Sequence, residues 1–274
     1  MQICFIKENG KIFPAIVEGK NIRKDVREVD INHFYSDTRK GIEKIQKDGI
    51  VVDSFETIIP VNPSKILCPA LNFREHSSET NQKTPDFPYF FPKFPSTITS
   101  YNGHIIRPEG IQKLDYEGEI AAIIGKKIKN GNMEEAKNSI GAYVVVNDVS
   151  ARDLQNQFSP NLGKNWIMGK AADSFLPVSS TLYVGDEENF NIITEVNGEK
   201  RQIGNTDDMI FSFSQMIEYL SREITLYPGD MILSGTPSGA AASGKFPFLK
   251  DGDIVSVRSD LIGKIENRVH SSDS

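Results

Sequence analysis

The stretch Leu114-Asp115-Tyr116-Glu117-Gly118-Glu119-Ile120-Ala121-Ala122-Ile123-Ile124-Gly125 runs from carboxylates into a nearly continuous apolar run. Residues two apart on a β-strand point to the same face. Read as a strand, this segment lines Asp115, Glu117 and Glu119 along one face, each roughly 6.6 Å from the next. Like charges held that close in a partly buried site repel, so either some take up protons or a cation neutralises them. Oxygen-only ligands suit hard cations such as Mg²⁺, Mn²⁺ or Ca²⁺. The competing reading is an acidic strand edge facing solvent.

The rest of the chain repeats the strand signal in shorter pieces. Ile3–Ile6 and Ile12–Val17 are β-rich runs joined at Glu8-Asn9-Gly10-Lys11, where Asn-Gly favours a type I′ hairpin. Pro14 suggests that the second of these strands lies at a sheet edge. Ser36 or Asp37 caps a helix through Lys47, with Ile42 and Ile45 on one face and Gly49 just beyond its end. Pro60 and Pro63 mark a boundary, so residues 1–60 read as a small N-terminal domain and residues 61–274 as the main one. In the second part Ile66-Leu67-Cys68 is a short strand, and Asn72 to Ser100, rich in proline and aromatics, reads as a long ordered loop. A short helix around Met133–Lys137 precedes the strand Gly141–Val146. Ile192–Val196 and Lys200–Ile203 form a second hairpin about Asn197-Gly198. Thr206 or Asp207 caps a helix to about Leu220, with Met209, Phe213, Met216, Ile217 and Leu220 at helical spacing. Tyr227-Pro228-Gly229-Asp230 turns into the strand Met231–Leu233, and Asp251-Gly252-Asp253 leads into a last strand, Ile254–Val257. Many short strands and few helices imply an antiparallel or mixed β-fold with helices on one side.

Composition narrows the function classes. The net charge of −6 argues against a nucleic-acid surface. No apolar run reaches the ~18 residues of a membrane span, and the N-terminus lacks the charged-then-apolar layout of a signal peptide. The two cysteines, Cys4 and Cys68, lie far apart and read as reduced thiols, which points to a cytoplasmic protein. Two cysteines and four scattered histidines disfavour structural zinc.

Further constellations carry chemistry. Tyr143–Val146 ends at Asn147-Asp148, which puts a carboxylate at the end of a buried strand. Ser150 and Asp153 form a Ser-x-x-Asp capping box, with Arg152 and Gln155 on the same face of the helix it would start. That arrangement suits an anion, or is an ordinary capped helix with a surface arginine. His76 and Glu79 form a His-x-x-Glu pair suited to activating water, or a surface ion pair. Lys170 follows Gly169 without the upstream glycine of a P-loop, so nucleotide binding is not supported. It could stabilise an enolate, or be a surface lysine. Ser234-Gly235-Thr236-Pro237-Ser238-Gly239 is a small-residue turn whose hydroxyls could meet a ligand.

Five segments, in this order, resemble the fumarylacetoacetate hydrolase family, in the group of short members with a small N-terminal domain. They are Cys68-Pro69-Ala70-Leu71-Asn72-Phe73-Arg74-Glu75-His76, Asp115–Glu119, Asn147–Gln155, Gly169-Lys170, and Pro228-Gly229-Asp230 through Ser234–Gly239. The likeness covers about residues 64–270. It implies an α+β, mainly β fold, a mixed β-roll with a small α+β N-terminal domain, assembled as a homodimer around Mg²⁺ or Mn²⁺. It also implies metal ligands at Glu117, Glu119 and Asp148, with Asp115 not a ligand. His76 and Glu79 fall on the family's acid–base pair and Lys170 on its lysine. Arg152, Gln155 and Thr236 fall on positions that bind substrate. Ala70 and Phe73 depart from the glycine and tyrosine expected there, so any role of that tyrosine hydroxyl is absent.

The expected activity is hydrolysis of a carbon–carbon bond in an acylpyruvate, a 2,4-dioxo acid chelated through its 2-oxo acid end, with release of a pyruvate enolate. Decarboxylation, isomerisation or hydration of a 2-oxo acid on the same site is the alternative. A non-catalytic protein binding a 2-oxo acid or a cation is a further one.

Overall fold

The computed structural model describes residues 1–75, 83–157, 159–161, 163–186 and 189–272. His76 and Glu79 lie outside them. In chain order the strands are β1 (Gln2–Glu8), β2 (Lys11–Glu18), β3 (Asn21–Lys24), β4 (Ile50–Val52), β5 (Ile66–Pro69), β6 (Phe90–Lys93), β7 (Ile98–Thr99), β8 (His104–Arg107) and β9 (Leu114–Asp115). There follow β10 (Gly118–Ile124), β11 (Ile140–Asn147), β12 (Ser150–Ala151), β13 (Leu176–Tyr183), β14 (Asn191–Val196), β15 (Glu199–Asn205), β16 (Met231–Leu233), β17 (Ile254–Ser259) and β18 (Gly263–Ser271).

One large sheet runs β4-β3-β2-β1-β13-β11-β10-β16-β5-β6, with β7 also on β13, and a second runs β15-β14-β17-β18-β8. Most pairs are antiparallel, while β16–β5, β18–β8 and β13–β7 are parallel. The fold is therefore mainly β and mixed. Residues 1–60 add their strands to the large sheet through the antiparallel β1–β13 pair, Gln2 opposite Tyr183.

The apolar run of β10 is explained by burial on both faces. Ala121 and Ile123 join a core with Val144, Val146, Met231, Leu233 and Cys68. Ile120, Ala122 and Ile124 face the opposite way, into a core with Tyr143, Val145, Phe213, Ile217 and Val257 that fills the space between the two sheets. The Asn-Gly hairpins form as read: Asn9 and Gly10, and Asn197 and Gly198, all take positive φ. Asp37 caps the helix Thr38–Asp48, which buries Ile42 and Ile45.

Several boundaries differ from the sequence reading. β2 is an interior strand, but β3 pairs only from Ala15 onward. The Pro14 carbonyl accepts from Asp25 N just past that point (2.9 Å), so no neighbouring strand requires the missing donor. The segment Asn72–Ser100 includes β6, antiparallel to β5 from Ile66↔Lys93 to Pro69↔Phe90. The helix expected from Thr206 begins at Phe213, because the Ser212/Gln215 capping box takes the role given to Thr206 or Asp207. Met209 instead bridges Phe73. β18 follows β17 as a further strand, its buried positions Ile265, Asn267 and Val269 alternating with exposed polar ones. Among the described residues no helix is long and apolar enough to cross a membrane.

Candidate metal centre

The acidic stretch is not one strand. Leu114-Asp115 pairs with Ser150-Ala151, while Gly118 onward pairs with β11. The break falls at Tyr116-Glu117. Asp115 Oδ1 accepts from Tyr116 N (2.9 Å), the buried Tyr116 hydroxyl donates to Gly239 O (2.9 Å), and Glu117 N donates to Asn147 Oδ1 (2.9 Å). Period-two alternation therefore fails across the break. Asp115 leaves the row, and its two oxygens are taken by Tyr116 N, Ala241 N, Ala242 N and Arg152 Nε.

Glu117 and Glu119 come together with Asp148 instead. Asp148 N donates to Glu117 O (2.8 Å), which extends the β10–β11 ladder one step and sets the two residues side by side. Glu119 lies on the face of Ala121 and Ile123, opposite Val146 in register. One carboxylate oxygen from each of Glu117, Glu119 and Asp148 lies within 4.8 Å of the others, and all three residues are buried.

The cations around this cluster are equally buried. Lys170 ends the helix Trp166–Lys170, capped by Asn165. Gly169 lets that helix approach the helix Arg152–Gln155, since a Cβ there would stand 2.4 Å from Gln155 Cβ. Lys170 Nζ donates to Asp148 Oδ2 (2.8 Å) and to Glu117 Oε2. Arg152 donates from Nε to Asp115 Oδ2 (2.8 Å), from Nη1 to Gln155 Oε1 (2.7 Å) and from Nη2 to Glu117 Oε1. The Ser150/Asp153 capping box is not what starts that helix. Ser150 Oγ donates to Asp148 O, and the Asp153 carboxylate accepts from Gln112 N and Lys113 N.

A third cation was not legible in the sequence reading. Lys93, at the end of β6, is 2 % exposed and donates from Nζ to Asp148 Oδ1 (2.6 Å), Val149 O and Lys170 O. Its signal was there: in Phe90-Phe91-Pro92-Lys93, Lys93 shares the face of the buried Phe91.

Electrostatics separate the two glutamates. Burial pushes Glu117 up, but Arg152 and Lys170 outweigh it and hold the carboxyl well below the ordinary carboxylate range. Glu119 goes the other way. Burial, then the Asp148 and Glu117 charges, push it well above that range. For Lys170, burial is outweighed by Asp148 and Glu117, so the ammonium is held above its usual value. Lys93 is lowered by burial, against the pull of Asp148. Among the described residues, the ion pairs of Asp115, Glu117 and Asp148 are made to Arg152, Lys93 and Lys170, and Glu119 is the carboxyl left without one. Among the described residues no cation forms an ion pair with Glu119, and its Oε2 accepts from Gly235 N alone (2.9 Å). A carboxyl that burial and like charges hold above its ordinary range, beside two further carboxylate oxygens, fits a divalent cation that would take the place of its proton.

The cluster opens on a cavity of about 520 Å³. Glu117, Glu119, Arg152, Gln155, Lys170 and Thr236 line its floor, and Tyr89, Phe91 and Trp166 form an aromatic wall. Phe91 and Trp166 stack at 4.8 Å. The Thr236 hydroxyl donates to Gly118 O (3.0 Å) and accepts from Gln202 Nε2 (2.8 Å). The structure thus brings seven of the nine expected site residues together: Glu117, Glu119, Asp148, Arg152, Gln155, Lys170 and Thr236. The other two, His76 and Glu79, are outside the described residues.

Fold and site define a class: a mixed β protein whose buried carboxylate cluster opens on a cavity at the large sheet. Residues 65–270 match the model of the fumarylacetoacetate hydrolase C-terminal domain, and the chain belongs to that family of enzymes. It is 40% identical over 213 residues to the mitochondrial oxaloacetate tautomerase of Xenopus laevis, a match over 76% of this chain and 66% of that protein. The chain thus spans slightly under two thirds of that relative. The fumarylacetoacetate hydrolase of Exiguobacterium antarcticum superposes with a TM-score of 0.84 at 28% identity, over 99% of both chains. The fumarylpyruvate hydrolase of Pseudomonas aeruginosa, solved with Mn²⁺ and pyruvate, gives 0.69 at 28% identity, over 80% of this chain and 93% of that one.

Proposed function

We propose that this chain binds a 2-oxo acid at a divalent cation and interconverts its keto and enol forms, with an oxaloacetate-type acid as substrate. The observation that carries this reading is Glu119, a buried carboxyl without an ion pair among the described residues, with an oxygen within 4.8 Å of oxygens of Glu117 and Asp148, at a cavity that also presents a guanidinium and an ammonium. Glu117, Glu119 and Asp148 would hold Mg²⁺ or Mn²⁺, which supplies Lewis acidity to a 2-oxo group. Arg152 is fixed by Asp115, Glu117 and Gln155, and its remaining N–H donors would orient the substrate carboxylate. Lys170, held protonated by two carboxylates, would donate to the oxygen on which enolate charge develops. The aromatic wall would exclude water from the far side of the substrate. The relative named as an oxaloacetate tautomerase supports this substrate class.

A second reading, hydrolysis of an acylpyruvate, needs a base for the attacking water. The His76-x-x-Glu79 spacing favours it, as does the likeness to a fumarylpyruvate hydrolase. One experiment separates the two. Purified protein with Mn²⁺ is assayed for loss of the oxaloacetate enol absorbance and for pyruvate release from acetylpyruvate, each also in His76→Ala. Tautomerisation predicts an enhanced oxaloacetate rate. Pyruvate release that collapses in His76→Ala, with no effect on oxaloacetate, would replace the first reading by the second.

A further inference from the structure

β15 inverts the usual strand pattern. Gln202 is fully buried, while Ile203 beside it is 64 % exposed. An amide taken out of water is costly unless it is hydrogen-bonded, and here both ends of the side chain are engaged. Gln202 Oε1 accepts from Gly118 N (2.9 Å), and Nε2 donates to Thr236 Oγ1 (2.8 Å) and Pro237 O (2.9 Å).

Gly118 is the residue between Glu117 and Glu119. Its N–H is held by Gln202 and its carbonyl by the Thr236 hydroxyl, which Gln202 in turn orients. Thr236 follows Gly235, whose N–H donates to Glu119 Oε2 (2.9 Å). The segment has no slack: a Cβ on Gly118 would stand 2.1 Å from Thr194 Oγ1 and 2.9 Å from Val257 Cγ1. Gln202 belongs to the smaller sheet and does not line the cavity.

We infer that Gln202 is a positioning residue for the cation centre: reaching from the second sheet through Gly118 and Thr236, it sets where Glu117 and Glu119 present their oxygens. The inference rests on the reading of Glu117, Glu119 and Asp148 as cation ligands. Partners one shell out from metal ligands typically govern 10–100-fold in affinity.

The test is Mn²⁺ binding to the purified full chain, read by electron paramagnetic resonance of the free ion. Gln202→Met keeps the length of the side chain and removes every hydrogen bond. It should raise the Mn²⁺ dissociation constant about 10–100-fold, while the KM for oxaloacetate at saturating Mn²⁺ stays within about threefold. Thr194→Val is the packing control, because Thr194 Oγ1 is buried against the same glycine with no hydrogen-bond partner among the described residues. It should leave the affinity within about twofold. Gln202→Met at wild-type affinity overturns the inference and leaves the cation reading intact. Equal losses in both variants also overturn it, by assigning the effect to packing. A wild-type chain that binds no Mn²⁺ overturns the cation reading itself. Should Gln202→Met fail to fold, Thr236→Val cuts the same relay at its second link and must show the same loss.

Discussion

Asp115 and Glu119 stand four residues apart in one acidic run, both buried, and their surroundings are opposite. Asp115 has its oxygens filled by three backbone N–H groups and the Arg152 guanidinium. Among the described residues Glu119 has one backbone N–H, no ion pair, and two like charges that outweigh the pull of Lys170. The first carboxylate is satisfied by the fold; it ties the strand break to residues 241–242 and aims Arg152. The second is left in deficit, which is the condition for binding a cation rather than for holding a chain together. Burial and charge alone do not distinguish the two residues. The count of donors does.

The largest expected effect comes from exchanging these roles. Asp115→Asn weakens a buried ion pair and should cost about 3–5 kcal/mol in urea unfolding of the ion-free protein. Glu119→Gln replaces a carboxyl that the fold already favours in its neutral form and should change ion-free stability by less than about 1 kcal/mol. Its Mn²⁺ affinity should nonetheless fall by more than the ~100-fold typical of an outer partner. If Glu119→Gln destabilised the ion-free protein as much as Asp115→Asn, the contrast would be broken.

A smaller effect sharpens the same point from the ligand side. At a Mn²⁺ concentration 100 times its dissociation constant, the wild-type chain should gain ~2.7 kcal/mol in unfolding free energy, since the ion binds only the folded cluster. Asp115→Asn, if folded, should keep most of that gain, and Glu119→Gln should show none of it. A gain retained in Glu119→Gln would place the ion elsewhere.

Much of this contrast was readable from the chain, and the unreadable part has a physical cause. Hairpins at Asn9-Gly10 and Asn197-Gly198 follow from local φ preferences, so short-range rules found them. Strand periodicity gave Asp115, Glu117 and Glu119 equal standing. Only the likeness of Asp115–Glu119 to a known family demoted Asp115, because the break at Tyr116 is made by residues 30 and more than 120 positions away. Lys93 stayed hidden for a related reason. Its proline- and aromatic-rich surroundings read as loop, whereas pairing with Ile66–Pro69 makes them a strand that carries the lysine to Asp148. β18 was missed because Asn267, a polar residue at a buried position, interrupts the apolar alternation. It donates to Ser100 O and Gly103 O, partners that local pattern does not reveal.

The smallest expected effect isolates burial from charge. Cys4 packs with Ile6, Ala15 and Ile22, and burial alone pushes its thiol up to about 12. Glu119 is raised by burial together with two carboxylates, so only Glu119 should answer to a cation. A thiol raised on folding contributes stability in full below its unfolded value near 9, and that contribution is lost as pH rises from there towards 12. The wild-type chain should lose about 1 kcal/mol between pH 9 and pH 10 from this group. Cys4→Ala should remove this share of the slope and leave the share of Cys68, a second buried and raised thiol, while Glu119→Gln should leave the share removed by Cys4→Ala unchanged. A Cys4 share that changed with Glu119→Gln would mean that charge from the carboxylate cluster reaches across the large sheet to β1, and the two kinds of buried acid would no longer be separable.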